Sequence, residues 1–346
     1  VKRENWKSIL FNVLKVVISA GMLAYILIYR VDLGALFQAM RHALWGYLAL
    51  AAALAMAGVA VRAVRWQVLL GSLDIEVPLR RLVRLYYVGT FFNIFLLSGF
   101  GGDAIRILEL SRYTHKTPEA IGTVLVDRAT GLWVLFLIGL LALPFAAVWL
   151  PPQMVVLIAV MALGVVIGGW VVMATPLIPW LGSHVRLPGQ AKLERFYHAV
   201  SGCGYRALGK ACAISLLFNL MNVGINYMVA RAFGVNLPLG IFVAFAPILS
   251  MSLLLPSVGG LGVREEAHRL LYGTVNVTNT LAVAMSLTTF GVQTLLPGIV
   301  GAVLYTLEGA AGLRRAPGRG RAAVPGDGSS GDAGRPQQAQ DERAQS

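Results

Sequence analysis

Long apolar runs, and not an alternation of apolar and polar positions, organise this chain. Runs at 9–29, 45–61, 131–150, 154–174 and 211–230 each approach the roughly 20 residues an α-helix needs to cross a hydrocarbon core. Further apolar stretches cover 86–98, 239–255 and 277–312. Barrel strands would alternate lipid-facing and lumen-facing positions, whereas helices close their backbone hydrogen bonds within one segment, so these runs predict helices. The 277–312 stretch reads either as one helix kinked near Pro297 or as two.

Two of the runs end in the same way. Gly101-Gly102-Asp103-Ala104-Ile105-Arg106 and Gly259-Gly260-Leu261-Gly262-Val263-Arg264 share the pattern Gly-Gly-x-x-x-Arg, and Leu96-Leu97 and Leu254-Leu255 precede the paired glycines at the same spacing. Short hydrophobic segments interrupted by Gly or Pro at corresponding places in two halves point to the binding site of a transporter with internal repeats. At about 1.5 Å rise per residue, 86–98 is too short to span a bilayer. Non-helical backbone at membrane depth is tolerated only where it is buried in protein or lines a wet cavity. The spans at 131–150, 154–174 and 211–230 separate the two copies by an odd number, so re-entrant copies would enter from opposite faces. The expected fold class is an all-α polytopic membrane protein of six to eight transmembrane helices, with two glycine-broken, re-entrant segments in an inverted repeat.

Composition agrees: the chain is 57% hydrophobic and 13% charged, with a mean hydropathy of +0.70. Lys2, Arg3 and Lys7 before the first run suit a signal peptide as well as a membrane helix, but its length and the lack of an Ala-x-Ala site after it predict a retained helix. Cys203 and Cys212 suggest helix packing and no disulfide or metal framework. Three cations against one acid in 1–8, five against two in 62–84 and five against one in 175–210 place these segments in the cytoplasm. The uncharged Pro151-Pro152-Gln153 turn suits the outer side. Arg314, Arg315, Arg319 and Arg321 place the C-terminus inside with the N-terminus, in the cytoplasmic membrane. The expected division is a membrane domain over 1–313 and a disordered cytoplasmic tail over 314–346, whose Gly, Pro, Ala and Gln content cannot build a core. The net charge of +13 has no aromatic-interleaved basic module beside it, so membrane phosphate and not nucleic acid is the expected partner.

Ionisable residues cluster where the runs begin, end or break. Arg62 and Arg65 read equally well as interfacial side chains that snorkel and as functional cations. Asp103, Arg106 and Arg264 follow glycine breaks expected to free backbone N–H groups for an anion, and the planar guanidinium fork suits phosphate. Asp127-Arg128 reads as a helix opening, with the acid at the positive end of the dipole and a structural role open to both. His268 reads as a surface or interface residue. There is no phosphate loop, His-Glu-x-x-His helix or Gly-x-Ser-x-Gly elbow. No cofactor, metal or enzymatic activity is therefore expected.

Arg62-x-x-Arg65-Trp66-x-x-Leu69-Leu70, Tyr87-x-Gly89-x-Phe91-x-Asn93, Gly101-Gly102-Asp103-x-x-Arg106, Asp127-Arg128-x-x-Gly131 and Leu255-Pro256-Ser257-x-Gly259-Gly260-Leu261-Gly262-x-Arg264-Glu265 together resemble the lysylphosphatidylglycerol synthase transmembrane-region family, the membrane half of the multiple peptide resistance factors. The resemblance covers about 8–312. It implies a flippase-like membrane domain with these Arg, Asp, Asn, Glu and Gly positions along a lipid route. The two-domain synthases carry a soluble aminoacyltransferase domain after this region, so this chain is not expected to make lysyl lipid by itself.

The leading expectation is a passive or gradient-coupled transporter of an anionic or modified phospholipid, or of a polyprenyl-phosphate lipid. Arg106 and Arg264 would receive phosphate, the motif glycines would approach it closely, and Asp103 and Glu265 would orient the arginines or meet a cationic headgroup. Two rivals remain open: a scaffold for a lipid-linked glycosyl- or aminoacyl-transferase, and a lipid-modifying enzyme using Asp103 or Asp127.

Overall fold

The computed structural model describes the chain at 33–95, 101–174, 190–252 and 260–315, and every regular element there is helical. The expected first span at 9–29 lies outside these residues, as do Gly259 and most of the expected tail. Contacts divide the chain into Val1–Leu307 and Glu308–Ser346. In chain order the helices are α1 (Leu33–Arg41), α2 (Trp45–Gly71), α3 (Leu79–Phe95), α4 (Gly101–Thr114), α5 (Thr117–Ala146), α6 (Pro152–Ala174), α7 (Gln190–Ala232), α8 (Leu239–Ser252), α9 (Val263–Gly273), α10 (Asn279–Phe290) and α11 (Leu296–Arg315).

Among the described residues, five helical stretches are long and apolar enough to cross a membrane: Trp45–Gly71, Thr117–Ala146, Pro152–Val171, Gly202–Ala232 and Asn279–Leu307. The short α8 is also apolar. The outside of the bundle fits that reading, because Val156, Val160, Ile167 and Trp170 of α6 and Leu141 and Phe145 of α5 all stand exposed. A water-soluble monomer rarely shows so contiguous an apolar surface. In lipid the same residues bury their area against acyl chains.

Inside, α2 packs along α7, α7 along α5, and α5 against α8. The largest core gathers Leu135, Phe242, Phe245 and Tyr272 around small residues such as Ala51 and Ala244. A second core joins α2 to α3, α4 and α5 through Trp66, Leu70, Leu82, Tyr86 and Leu110. Alanine and glycine on the facing sides let backbones approach, which is how helices gain dispersion contact without a hydrophobic drive between them.

Three expected boundaries move. The run at 45–61 continues as helix to Gly71, through Arg62 and Arg65. The run at 131–150 starts earlier, at Thr117, so Asp127-Arg128 lies within α5 and does not open it. The helix of the 211–230 run reaches back to Gln190 through a break at Gly204, whose φ of 72° interrupts the winding. In the first two cases the charges that suggested an end are accommodated inside the bundle.

From Asn279 the 277–312 stretch is continuously helical, as α10, a π-turn and α11. Thr278 caps α10 by accepting from the Leu281 N–H at 3.4 Å, and a π-turn over Gly291–Leu295 joins α10 to α11. Pro297 lacks an N–H and its ring would crowd the carbonyl four residues earlier. The wider winding of the π-turn lies just ahead of that defect.

Two short helices flank each glycine break: α3 and α4 around 96–100, and α8 and α9 around 253–262.

Candidate functional site

The interior of the bundle holds a cavity of about 400 Å³, a volume typical of small-molecule sites. Arg62, Arg65, Arg106, Arg128 and Arg264 line it, and so do Asp103 and Asp127. Asn93, Gly102 and Gly260 also reach its wall. The arginines of both Gly-Gly-x-x-x-Arg segments thus face one space. Gly101, Gly262 and Glu265 stand outside the lining, and Gly101 is buried beside it at the start of α4.

On the side built by α2, α3, α4 and α5, Asp127 is the hub. Its Oδ1 accepts from Arg65 Nε at 2.7 Å, and its Oδ2 accepts from Tyr86 Oη at 2.5 Å and from Arg106 Nη2 at 3.3 Å. Arg65 also donates to Ser215 Oγ of α7 at 2.9 Å. Arg106 donates to Asp103 Oδ1 at 3.1 Å, and Arg128 pairs with the other oxygen of Asp103. The Arg106 guanidinium lies 4.1 Å from the Trp66 ring and 3.7 Å from the Tyr86 ring, a placement that adds cation–π attraction in a desolvated setting. Arg65 and Asp127 are almost fully buried. Arg65 therefore does not snorkel; it belongs to a buried ionic network, in which each charge depends on its partners because burial alone would be prohibitive.

Arg62 differs. It lies 5.2 Å from the Tyr86 ring and 5.1 Å from the Phe218 ring, and its buried Nε has no hydrogen-bond partner. Among the described residues it forms no ion pair.

On the other side, Arg264 opens α9. It donates through Nε to Ser286 Oγ at 3.0 Å, pairs with Glu265 Oε1, and lies 4.4 Å from the Phe290 ring. Ser286 Oγ donates to the same Glu265 oxygen at 3.2 Å. His268, expected at a surface or interface, is buried: its Nδ1 lies 2.9 Å from the Arg264 carbonyl and its ring stacks on Tyr272. A carbonyl oxygen only accepts, so Nδ1 is the donor in this bond.

Two of the motif glycines do something other than expected. The Gly102 N–H is taken by Asn93 Oδ1 at 2.6 Å, and the Gly262 N–H by Glu265 Oε2 at 2.6 Å. Neither is free for an anion. The glycines instead allow shape: Gly102 lies against the Gly89 carbonyl, while Gly260 and Gly262 hold φ of 80° and 82°. Replacing Gly262 by Ala should cost about 1 to 3 kcal/mol, the usual cost of forcing a side chain into such backbone. A lowered midpoint of thermal unfolding in detergent would register it, and an unchanged midpoint would show that the turn relaxes freely.

The family model for the lysylphosphatidylglycerol synthase TM region matches residues 12–301. The chain belongs to this family. It is a multi-pass membrane protein and a flippase-like membrane domain. The family match covers the membrane region alone. No curated protein matches the chain.

Several wall residues of this family member escaped the sequence reading. Asn222 and Gln293 meet at 2.7 Å, with Gln293 on the π-turn, and Asn219 donates to the Gly131 carbonyl at 3.1 Å. Thr289 and Thr294 stand near them in the lining. The signal was present: Asn219, Asn222 and Asn226 recur at helical spacing within an apolar span, and amides at such depth need partners. Among the described residues, no group of three His, Cys, Asp or Glu side chains is placed to hold a metal ion.

Proposed function

We propose that the cavity receives the phosphate-bearing headgroup of a membrane lipid and lets it pass between leaflets while the acyl chains stay in the surrounding bilayer. One observation carries this reading: five arginines against two aspartates line one interior cavity of an apolar helical bundle. Placing an arginine at membrane depth costs about 2.5 to 3.5 kcal/mol on insertion scales. A surplus of such residues therefore asks for an anion. Arg62 and Arg264 are the proposed phosphate contacts, Arg62 because it is not committed to an acid. Arg65, Arg106, Asp103 and Asp127 hold the wall in shape. The basic segments, both termini among them, are proposed to face the cytoplasm, and the two short-helix pairs around the glycine breaks are proposed as re-entrant halves of one inverted repeat.

The test is lipid movement in vesicles holding the purified full chain, followed with a fluorescent anionic phospholipid and a quencher confined to one leaflet. Changing Arg62 to Gln should slow movement by about 10- to 100-fold, equivalent to one charge-assisted hydrogen bond of about 1.5 to 3 kcal/mol. The melting temperature should change little, since no ion pair is broken. Equal rates for wild type and variant would overturn the assignment and favour a scaffold that anchors a transferase.

A further inference from the structure

A second cleft, of about 470 Å³, opens on the flank of the bundle and shares no lining residue with the arginine-lined cavity. Arg80, Arg81, Arg84 and Tyr87 of α3, Tyr113 of α4 and Leu304 of α11 line it. Chain ends fix its level. α3 begins at Leu79, α4 ends at Thr114, and the Asn279–Leu307 span ends just past Leu304. The cleft therefore stands at the edge of the apolar bundle, where the phosphates of one leaflet lie and where tyrosine is favoured.

The arginines of this cleft stand where a helix does not favour them. Arg80 and Arg81 fall in the first turn of α3, which holds no acid, and Arg84 follows one turn later. The N-terminus of a helix carries partial positive charge, and like charges three or four residues apart repel each other. Arg112 shows the ordinary arrangement, in the last turn of α4 and paired with Glu109. The Arg81 guanidinium lies 3.6 Å from the Tyr113 ring, and its buried Nε has no hydrogen-bond partner among the described residues. A ring that holds a guanidinium by its face leaves the planar N–H fork, which matches a pair of phosphate oxygens. An anion set among these side chains would turn both the repulsion and the opposed dipole into attraction.

We propose that this cleft is a fixed site for an anionic phospholipid of the adjacent leaflet, with the lipid phosphate among Arg80, Arg81 and Arg84 and the glycerol and upper acyl chain against Tyr87 and Leu304. A soluble phosphate would satisfy the same arginines, but the apolar part of the wall and the level of the cleft fit a lipid. The site lies apart from the proposed route between leaflets and does not depend on it. Its occupant steadies the start of α3, the helix that carries Gly89 and Asn93 to the wall of the cavity.

The experiment places the full chain in phosphatidylcholine vesicles with trace phosphatidylglycerol that carries a photoreactive diazirine near the top of one acyl chain, and maps the adducts by peptide mass spectrometry. The start of α3 and the end of α4 should be labelled more strongly than by the matching phosphatidylcholine probe. Arg80→Gln should lower that labelling about tenfold, the loss of one charge-assisted hydrogen bond. Its midpoint of thermal unfolding in lipid-free detergent should stay level or rise, because a cation leaves the positive end of α3. Arg112→Gln removes the same charge from a residue outside the cleft and should keep the labelling near wild type. Equal labelling by the two probes overturns recognition of the anion. Equal falls in Arg80→Gln and Arg112→Gln overturn the site in favour of diffuse attraction to a charged surface. A lowered midpoint in Arg80→Gln overturns its assignment as a ligand contact. Loss of labelling in millimolar inorganic phosphate overturns the lipid as occupant and leaves a site for a soluble phosphate. Movement between leaflets enters none of these readings, so the lipid-moving function stands or falls separately.

Discussion

Replacing Asp127 by Asn should destabilise the protein by about 3 to 5 kcal/mol, the usual cost of removing one partner from a buried charge network. Asparagine keeps nearly the same volume and can still accept from Tyr86 or Arg65, so the loss isolates the charge. Without it, Arg65 keeps only neutral acceptors such as the Ser215 hydroxyl, and Arg106 leans on an Asp103 already shared with Arg128. The comparison is Arg128→Gln: its side chain is partly exposed, unlike that of Asp127, and Asp103 keeps Arg106 as a partner, so the loss should be the smaller of the two. Unfolding by denaturing detergent, followed by circular dichroism, would measure both. If Asp127→Asn is no less stable than Arg128→Gln, the cavity holds enough water to solvate the guanidinium groups, and Asp127 would serve a mobile ion or proton instead of the fold.

The same network explains what hydropathy could and could not reveal. The apolar runs located α2, α5, α6 and α7, because a bilayer selects length and apolarity that any window along the chain detects. Their ends were misplaced wherever a charge intervened. Arg62 and Arg65 looked like the end of one span and Asp127 like the start of another, yet Arg65 and Asp127 answer each other across 62 positions of sequence. A local reading cannot see that partner, so it treats each charge as exposed. The clustering of Arg106, Arg264 and Asp103 near one cavity was legible because the glycine pattern recurs, whereas Asn93 was singled out only by the family resemblance. The use of the glycines was not. Whether Gly102 offers its N–H to an anion or to Asn93 depends on how α3 crosses α4, a packing fact with no signature in a six-residue motif. Likewise, Gln293 owes its reach toward Asn222 to a π-turn ahead of Pro297, and single-turn changes of winding leave little trace in a chain this rich in Leu, Val and Gly.

The crossing of α3 and α4 gives the other large effect. Changing Gly102 to Ala should lower stability by about 1 to 3 kcal/mol or more, as overpacking does when neither side can yield. A Cβ at Gly102 would fall on the Gly89 carbonyl oxygen and within 2.7 Å of the Asn93 amide nitrogen, and a Cβ at Gly89 would meet the Gly102 carbonyl at 3.0 Å. The principal obstacle is backbone, so no rotamer change relieves it and the helices must separate. Separation would weaken the Asn93 bond to the Gly102 N–H and shift Arg106, one turn further along α4, away from Asp127 and its two rings. Loss of lipid movement should therefore accompany the loss of stability. Gly164→Ala supplies the opposite sign. Nothing lies within 4 Å of a Cβ there, so the higher helix propensity of alanine should stabilise α6 by up to about 1 kcal/mol. Gly102→Ala as stable and active as wild type would mean that α3 and α4 slide apart at little cost, and the close crossing would then mark a moving joint of the domain and not a fixed one.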